Sequence, residues 1–396
     1  MKKLLFISWD SDKSNYMETL FFPILQGLSE RGLIEARVIQ FSWASKTQVS
    51  RIQKSALDRG INYTHYKVKR KPFAGLGALE AVYRGVFLLK KYIEENAIDI
   101  LMPRSTMPAT MVNRLWDWIG KSGVKVIFDA DGFPLQERVD FTGMKKDSLY
   151  YRLLHKEESK MLLKADRVLV RSTKAKEDHG KTIGADGESK ISVVANGRDA
   201  AHFAIDQDKR NEIRKSIGIQ DDEILWVYIG SLGPQYRLED MLKLFAKYWE
   251  ENQDSKFLIL TPENKVELGV IPAAVQDATI VHTATYTEIP AYLNAGDLGL
   301  SLRKDAPSIS GLAPIKTGEY LMMGLPVIVS PGVGDTDQLL KGREFAFFWE
   351  SGKEKELSNW LRKISALSPS SIREFAIPHF SLEKSLDDYS KALTGI

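Results

Sequence analysis

The chain of 396 residues has no cysteine. That absence excludes disulfides, iron–sulfur clusters and thiol catalysis, and it suits a cytoplasmic setting. No apolar run approaches the roughly 18 residues that a membrane span needs. The basic start MKKLLFISWDSD holds too short an apolar stretch for a secretory signal and reads as a first strand. A formal charge of +3 is small for this length, so nucleic acid is not an expected partner. The six histidines are scattered without an H-x-x-x-H pair, so no zinc site is expected. Neither a G-x-S-x-G elbow nor a Walker P-loop occurs. The loop after the first strand, Ser8 to Asp12, has no glycine, which removes a G-x-G-x-x-G dinucleotide reading.

What is present is ordinary globular composition, 43% hydrophobic and 27% charged. The length fits two domains of about 180 residues each. In the first half, apolar runs at 2–9, 33–41, 61–66, 98–102, 124–129 and 165–171 alternate with helical patterns. In the second half, runs at 223–229, 256–260, 279–282 and 297–302 do the same. Such alternation predicts parallel sheets covered by helices on both faces. Residues 200–220 are polar and read as a linker. The expected division is 1–200 and 201–379, with 380–396 returning to the first domain as a helix carrying Leu382, Leu386, Tyr389 and Leu393 on one face.

The most informative stretch is SISGLAPIKTGEYLMMGLPVIVSPGVGD, Ser308 to Asp335. Leu312, Ile315, Glu319, Met322 and Met323 recur at helical spacing, and Gly324 supplies a left-handed stop. Leu325 to Val329 reads as a strand buried on both faces. The loop with Gly332 and Gly334 then falls where open α/β sheets bind ligands. A helix start bearing Lys316 and Thr317 favours a phosphate, and Glu319 one turn on can accept from a ribose diol. The plain alternative is an ordinary helix–turn–strand unit with a Lys–Glu pair. Earlier in this half, the loop Gly230 to Arg237 joins a strand to a helix, and its glycines let backbone N–H groups approach phosphate.

The string P-x-K-x-x-E-Y-L-x-x-G-L-P-V-I resembles the donor segment of family 4 glycosyltransferases. Asn196-Gly197-Arg198-Asp199 resembles the N-G-x-D that ends their first domain. The resemblance implies the GT-B fold, two Rossmann-like doubly wound domains facing across a cleft. It implies a retaining, metal-independent hexosyl transfer from a nucleoside-diphosphate sugar, a co-substrate with no further cofactor, to a saccharide or lipid-linked acceptor in cell-surface glycan synthesis. Glu319 then takes the ribose, and Arg237 and Lys316 the diphosphate. Gly230, Ser231, Gly311, Leu312, Thr317, Gly332 and Gly334 complete the donor side. Three positions depart from the family pattern. Gly311 replaces a second glutamate, Ser231 the first of two basic residues, and Asp131 an arginine. A 2-epimerase acting on a nucleotide sugar, or a non-catalytic partner subunit of the same fold, are the competing readings.

Strand ends in the first half supply an acceptor side. Asp10 follows the first strand, Arg104 and Ser105 follow Ile98–Met102, and Asp129, Asp131 and Glu137 follow Val124–Asp129. A carboxylate there, Asp129 first, would help deprotonate an acceptor hydroxyl, with Arg104 beside it. The same Asp129-Ala130-Asp131 spells the D-x-D of metal-dependent transferases, one of four such tripeptides in a chain with 52 acidic residues. Over 148–165, Tyr150, Leu153, Leu154, Met161 and Ala165 predict a buried stripe that includes Glu157. Lys156, Lys160 and Lys164 on the opposite face make peripheral contact with an anionic membrane an expectation.

Overall fold

The protein is described by a computed structural model over residues 1–12, 15–71, 73–262 and 271–396. It divides into two compact units, each built on a parallel sheet. The first comprises Met1–Ala195, Ser310–Leu312 and Ser385–Ile396, and the second Asn196–Ile309 and Ala313–Lys384.

In the first unit the strands are β1 (Lys2–Asp10), β2 (Ile34–Ser42), β3 (Asn62–Lys67), β4 (Ile100–Pro103), β5 (Lys125–Asp131), β6 (Arg167–Val170) and β7 (Ile191–Val193). They lie in the order β3-β2-β1-β4-β5-β6-β7. Strands β1, β4 and β5 are buried almost throughout, as apolar runs covered on both faces must be. The C-terminal helix Leu382–Leu393 closes this unit from Ser385 onward. Leu386 lies against Gly27, where a Cβ would stand 2.6 Å from the leucine methyl, and Arg31 pairs with Asp387 at 2.8 Å.

The second unit repeats the plan with β8 (Ile224–Ile229), β9 (Ser255–Leu260), β10 (Thr279–His282), β11 (Leu298–Ser301), β12 (Val327–Val329) and β13 (Ala346–Phe348), ordered β10-β9-β8-β11-β12-β13. The polar stretch read as a linker is in fact structured. Helix Gln207–Ser216 packs on helix Ile289–Ala295, and Arg210 and Arg214 both bind Asp297 and the carbonyl of Ala295. Its buried residue is Arg214, with Ile213 only partly buried beside it, so hydrophobic periodicity did not reveal the helix.

In both sheets the strand order reverses, between β1 and β4 and between β8 and β11. That reversal opens the crevice in which such folds bind ligands. In the second unit, β8 and β11 pair only at Trp226–Leu298 and Val227–Gly299 before diverging. The hydroxyl of Tyr320, on helix Ile315–Met322, fills the gap. It accepts from the Ile229 amide at 2.9 Å and donates to the Leu300 carbonyl at 3.2 Å. Its ring lies over Gly299, where a Cβ would come within 2.4 Å. Burial pushes the Tyr320 phenol far above its ordinary range, so it stays a hydroxyl and keeps both bonds. Replacing Tyr320 by Phe leaves two buried backbone groups unmet, and urea unfolding should show a loss of about 2–4 kcal/mol. Unchanged stability would mean that water takes the hydroxyl's place.

Candidate functional site

At the C-terminal ends of β8 and β11 a cationic cluster is assembled around two tyrosines. Lys316, in the first turn of helix Ile315–Met322, donates to Tyr228 Oη at 2.9 Å. Its ammonium lies 3.6 Å from the ring centre of Tyr236 and 4.5 Å from that of Tyr228. Tyr228 Oη in turn donates to the Ser231 carbonyl at 2.5 Å. Gly230 has a φ of +123°, and a Cβ there would stand 2.5 Å from Lys316 Cε and Nζ. Glycine at 230 therefore lets the lysine lie across the turn.

The other side chain at this cluster is Arg303, which opens the 303–310 loop, expected from the sequence to carry donor-sugar contacts without a role for the arginine itself. The Arg303 guanidinium lies 4.4 Å from the centre of the Tyr236 ring, and among the described residues it has no carboxylate partner. Ser330, at the end of β12, fixes its backbone by accepting from Arg303 N at 2.9 Å and donating to Arg303 O at 3.1 Å. The signal in the sequence was an arginine one residue past an apolar strand, but only the fold brings it to Tyr236.

The remaining donor-side residues are distributed as follows. Glu319 is buried and its Oε1 accepts from Arg198 Nε at 2.8 Å, so the N-G-R-D segment holds the carboxylate in place. A carboxylate keeps further acceptor positions after one such bond. Thr317 Oγ1 bonds Ser301 Oγ at 3.0 Å. Arg237, at the start of helix Leu238–Trp249, pairs with Asp240 at 2.7 Å. The Gly332 amide donates to Asp337 Oδ1 at 2.8 Å and the Gly334 amide to the Ile309 carbonyl at 3.0 Å, so both loop amides are engaged. Gly311 and Leu312 belong to the first unit. A Cβ at Gly311 would meet the Phe133 ring at 2.6 Å, and the carbonyl of Ser310 accepts from Ser172 Oγ at 2.7 Å.

The mouth of the first sheet is a compact network of charge. Asp129 is fully buried, and both of its oxygens accept from Arg171 Nη2 at 2.7 Å. Arg171, at the end of β6, also reaches Tyr389 Oη at 3.3 Å, and was not singled out in the sequence. Arg104 Nη2 donates to Asp131 Oδ2 at 2.5 Å. Asp131, with 28% of its side chain exposed, is thus the accessible carboxylate here, whereas Asp129 is a structural anchor. Burial alone would raise the Asp131 carboxyl, but Arg104 and Arg171 outweigh it and hold it below the ordinary range. Such a carboxylate is a weak proton acceptor and a good hydrogen-bond acceptor. Ser105 and Asp131 adopt φ values of +63° and +65°, strained for non-glycine residues, at this same mouth. Asp10 accepts from Ser8 Oγ and Gln40 Nε2, each at 2.7 Å, and Glu137 sits half-buried in the first turn of Pro134–Thr142. Among the described residues no group of three His, Cys, Asp or Glu side chains is placed to hold a metal ion, and arginines occupy the oxygens of Asp129 and Asp131.

The fold corresponds to known architecture. Residues 209–374 match the family model of glycosyl transferases group 1. Anabaena HepE, solved with UDP and glucose, superposes with a TM-score of 0.72 at 13% identity over 100% of both chains. The fold is GT-B. A glycosyltransferase from Rickettsia africae gives 0.71 at 15% identity, again over 100% of both chains. WaaG, a glycosyltransferase involved in lipopolysaccharide biosynthesis, gives 0.67 at 15% over 99% of this chain and 100% of its own. None of the curated proteins compared matches the chain. The Tyr236 cluster lies within the stretch of this GT-B chain that the family model covers.

The buried carboxylate of helix Leu149–Lys164 is Glu158, not Glu157. The stripe actually buried is Leu154, Glu158, Met161, Leu162 and Ala165, while Tyr150 and Leu153 are exposed. Glu157 instead accepts from Asn113 Nδ2 at 2.7 Å and faces Arg114 at 3.7 Å. Burial pushes the Glu158 carboxyl up to about 7, with Arg138 and the Thr106 hydroxyl opposing it. An unfolded glutamate ionises near 4.5, so stability should fall as pH rises from 4.5 to 7 and stay level above. Glu158→Gln should remove most of that slope and add about 3 kcal/mol at pH 8. Parallel stability–pH curves for variant and parent would contradict this assignment.

Proposed function

We propose that the protein is a glycosyltransferase that moves a sugar from a nucleoside-diphosphate sugar to a saccharide or lipid-linked acceptor. The observation that carries this reading is the cluster of Lys316 and Arg303 on Tyr236, at the crevice of the second unit and inside the segment resembling glycosyl transferases group 1. Two cations preset on an aromatic ring suit a diphosphate, and they match the negative charge that grows on it as the sugar departs. Arg303 supplies the charge that Ser231 lacks. Glu319, steadied by Arg198, is assigned to the ribose. Gly230 admits the lysine, and Thr317 and Ser301 fix the start of its helix. With the charge provided by side chains, the transfer is taken to be metal-independent, and the family resemblance argues for retention of the anomeric configuration. HepE is described in complex with UDP and with UDP-glucose, so uridine is the first base to test.

The acceptor is assigned to the first unit, at the Arg104–Asp131 mouth. There Asp131 and Ser105 would orient a hydroxyl, Asp10 and Glu137 would border it, and Asp129 would hold the arginines. The setting proposed is cytoplasmic, at the inner face of a membrane when the acceptor is lipid-linked. The test is release of nucleoside diphosphate from UDP-glucose and related donors, with and without membrane-derived acceptors and with EDTA. Turnover should need acceptor and survive EDTA, and Lys316→Ala or Arg303→Ala should each lower kcat/KM by roughly 100-fold. Conversion of the free donor without acceptor would instead favour an epimerase.

A further inference from the structure

Helix Ala74–Asn96 is largely apolar on both sides along its first half, its outer face broken by the Glu80–Arg84 pair at 3.4 Å. Its inner face, Gly77, Ala81, Val82, Gly85 and Leu89, is buried in the first unit. Its outer face presents Leu76, Leu79, Tyr83 and Phe87, and Phe73 caps the helix, with exposures of 64, 51, 54, 76 and 66% respectively. At 3.6 residues per turn these outer positions fall within roughly 120° of arc. A helix largely apolar on both sides suits a core or a lipid surface, and this one has its outer face in solvent.

A basic segment is pressed against the start of this stripe. Lys67, Lys69, Arg70 and Lys71 are all exposed, and among the described residues none pairs with a carboxylate. Lys90 and Lys91, at the far end of the helix, do have Glu94 and Glu95 as partners. The segment is held by design of the backbone. A Cβ at Gly77 would stand 1.9 Å from the Lys69 carbonyl, so only glycine lets the strand exit lie flush with the helix. Arg84 donates to the Lys67 carbonyl at 3.0 Å, and the Arg70 guanidinium lies 4.5 Å from the Trp43 ring centre.

We infer that residues 67–71 and 73–87 form a surface for an anionic bilayer, with the apolar stripe entering the headgroup region and the cations of 67–71 meeting lipid phosphates. Charge decides between lipid and a second copy of the chain. The acidic residue in the first half of the helix, Glu80, is already paired with Arg84, so a symmetric contact of this patch with the same patch of a second copy sets Lys69–Lys71 against no free carboxylate of the helix. The inference relocates the membrane contact of the proposed function. Of the lysines first expected to make it, Lys164 is folded over the Trp116 ring at 5.1 Å and Lys160 is half-buried.

The experiment is co-sedimentation of the full chain with vesicles of phosphatidylcholine, alone or mixed with phosphatidylglycerol, and it needs no donor turnover. Its failure is therefore separable from failure of the transferase reading. The parent should bind the phosphatidylglycerol vesicles and release from them as salt rises. Phe73→Ser/Leu76→Ser/Phe87→Ser and Lys69→Glu/Arg70→Glu/Lys71→Glu should each weaken binding by roughly tenfold or more, with thermal unfolding unchanged because all six side chains are exposed. Equal binding by the apolar variant, or a parent that stays in the supernatant with every vesicle, would overturn the proposal. So would a parent that is dimeric in solution and becomes monomeric on the Ser substitutions.

Discussion

A parallel sheet that reverses its strand order must open a gap, and the backbone groups left in that gap must still find partners. The structure of both units follows from how this is met. In the second unit the Tyr320 hydroxyl joins Ile229 to Leu300 beyond the point where β8 and β11 stop pairing. In the first, the Arg104 amide reaches the Ile7 carbonyl and the Ser105 amide the Asp129 carbonyl, while Arg171 neutralises the buried Asp129 carboxylate. Each solution places polar side chains at a crevice. Tyr320 sits one residue from Glu319 and one helical turn from Lys316, so the residue that closes the gap also positions the charged ones.

The charge at the second crevice comes from separate elements that share one ring. Lys316 arrives from a helix start, Arg303 from the end of β11, and Tyr236 from the loop after β8. Ser330 holds the arginine's backbone, and Gly230 makes room for the lysine. A basic residue at Ser231 would be one route to the same charge density; an arginine from a neighbouring strand is another. At the first crevice Arg104 and Arg171 bind Asp131 and Asp129 through their Nη2 atoms, while among the described residues Arg104 Nε and Arg171 Nε and Nη1 are buried without a hydrogen-bond acceptor.

Much of this was legible in the sequence because local rules and tertiary demands agree there. Long apolar runs such as Leu4–Ile7 and Trp226–Ile229 announce strands buried on both faces, and Gly324 with Leu325–Val329 marks the helix stop and the strand that follows. The helix that carries Lys316 and Glu319 was visible from the spacing of its apolar residues. Other features are long-range and left no local trace. Arg303 acquires meaning only by meeting Tyr236, and Arg171 only by meeting Asp129, 42 residues away. The Glu157–Glu158 choice turned on which edge of an amphipathic helix faces inward, a shift of about 100° per residue. Helix Gln207–Ser216 was hidden because its buried side is charged.

The central claim is that Lys316 and Arg303 together form a diphosphate site. Calorimetric titration of the protein with UDP, UMP and uridine tests it most directly, with GDP, ADP and TDP as controls for the base. The account predicts that one diphosphate binds roughly tenfold or more tighter than its monophosphate, and that Lys316→Ala/Arg303→Ala abolishes this difference while sparing the nucleoside's own affinity. Equal affinity for diphosphate and monophosphate, or a preference that survives the double substitution, would contradict it.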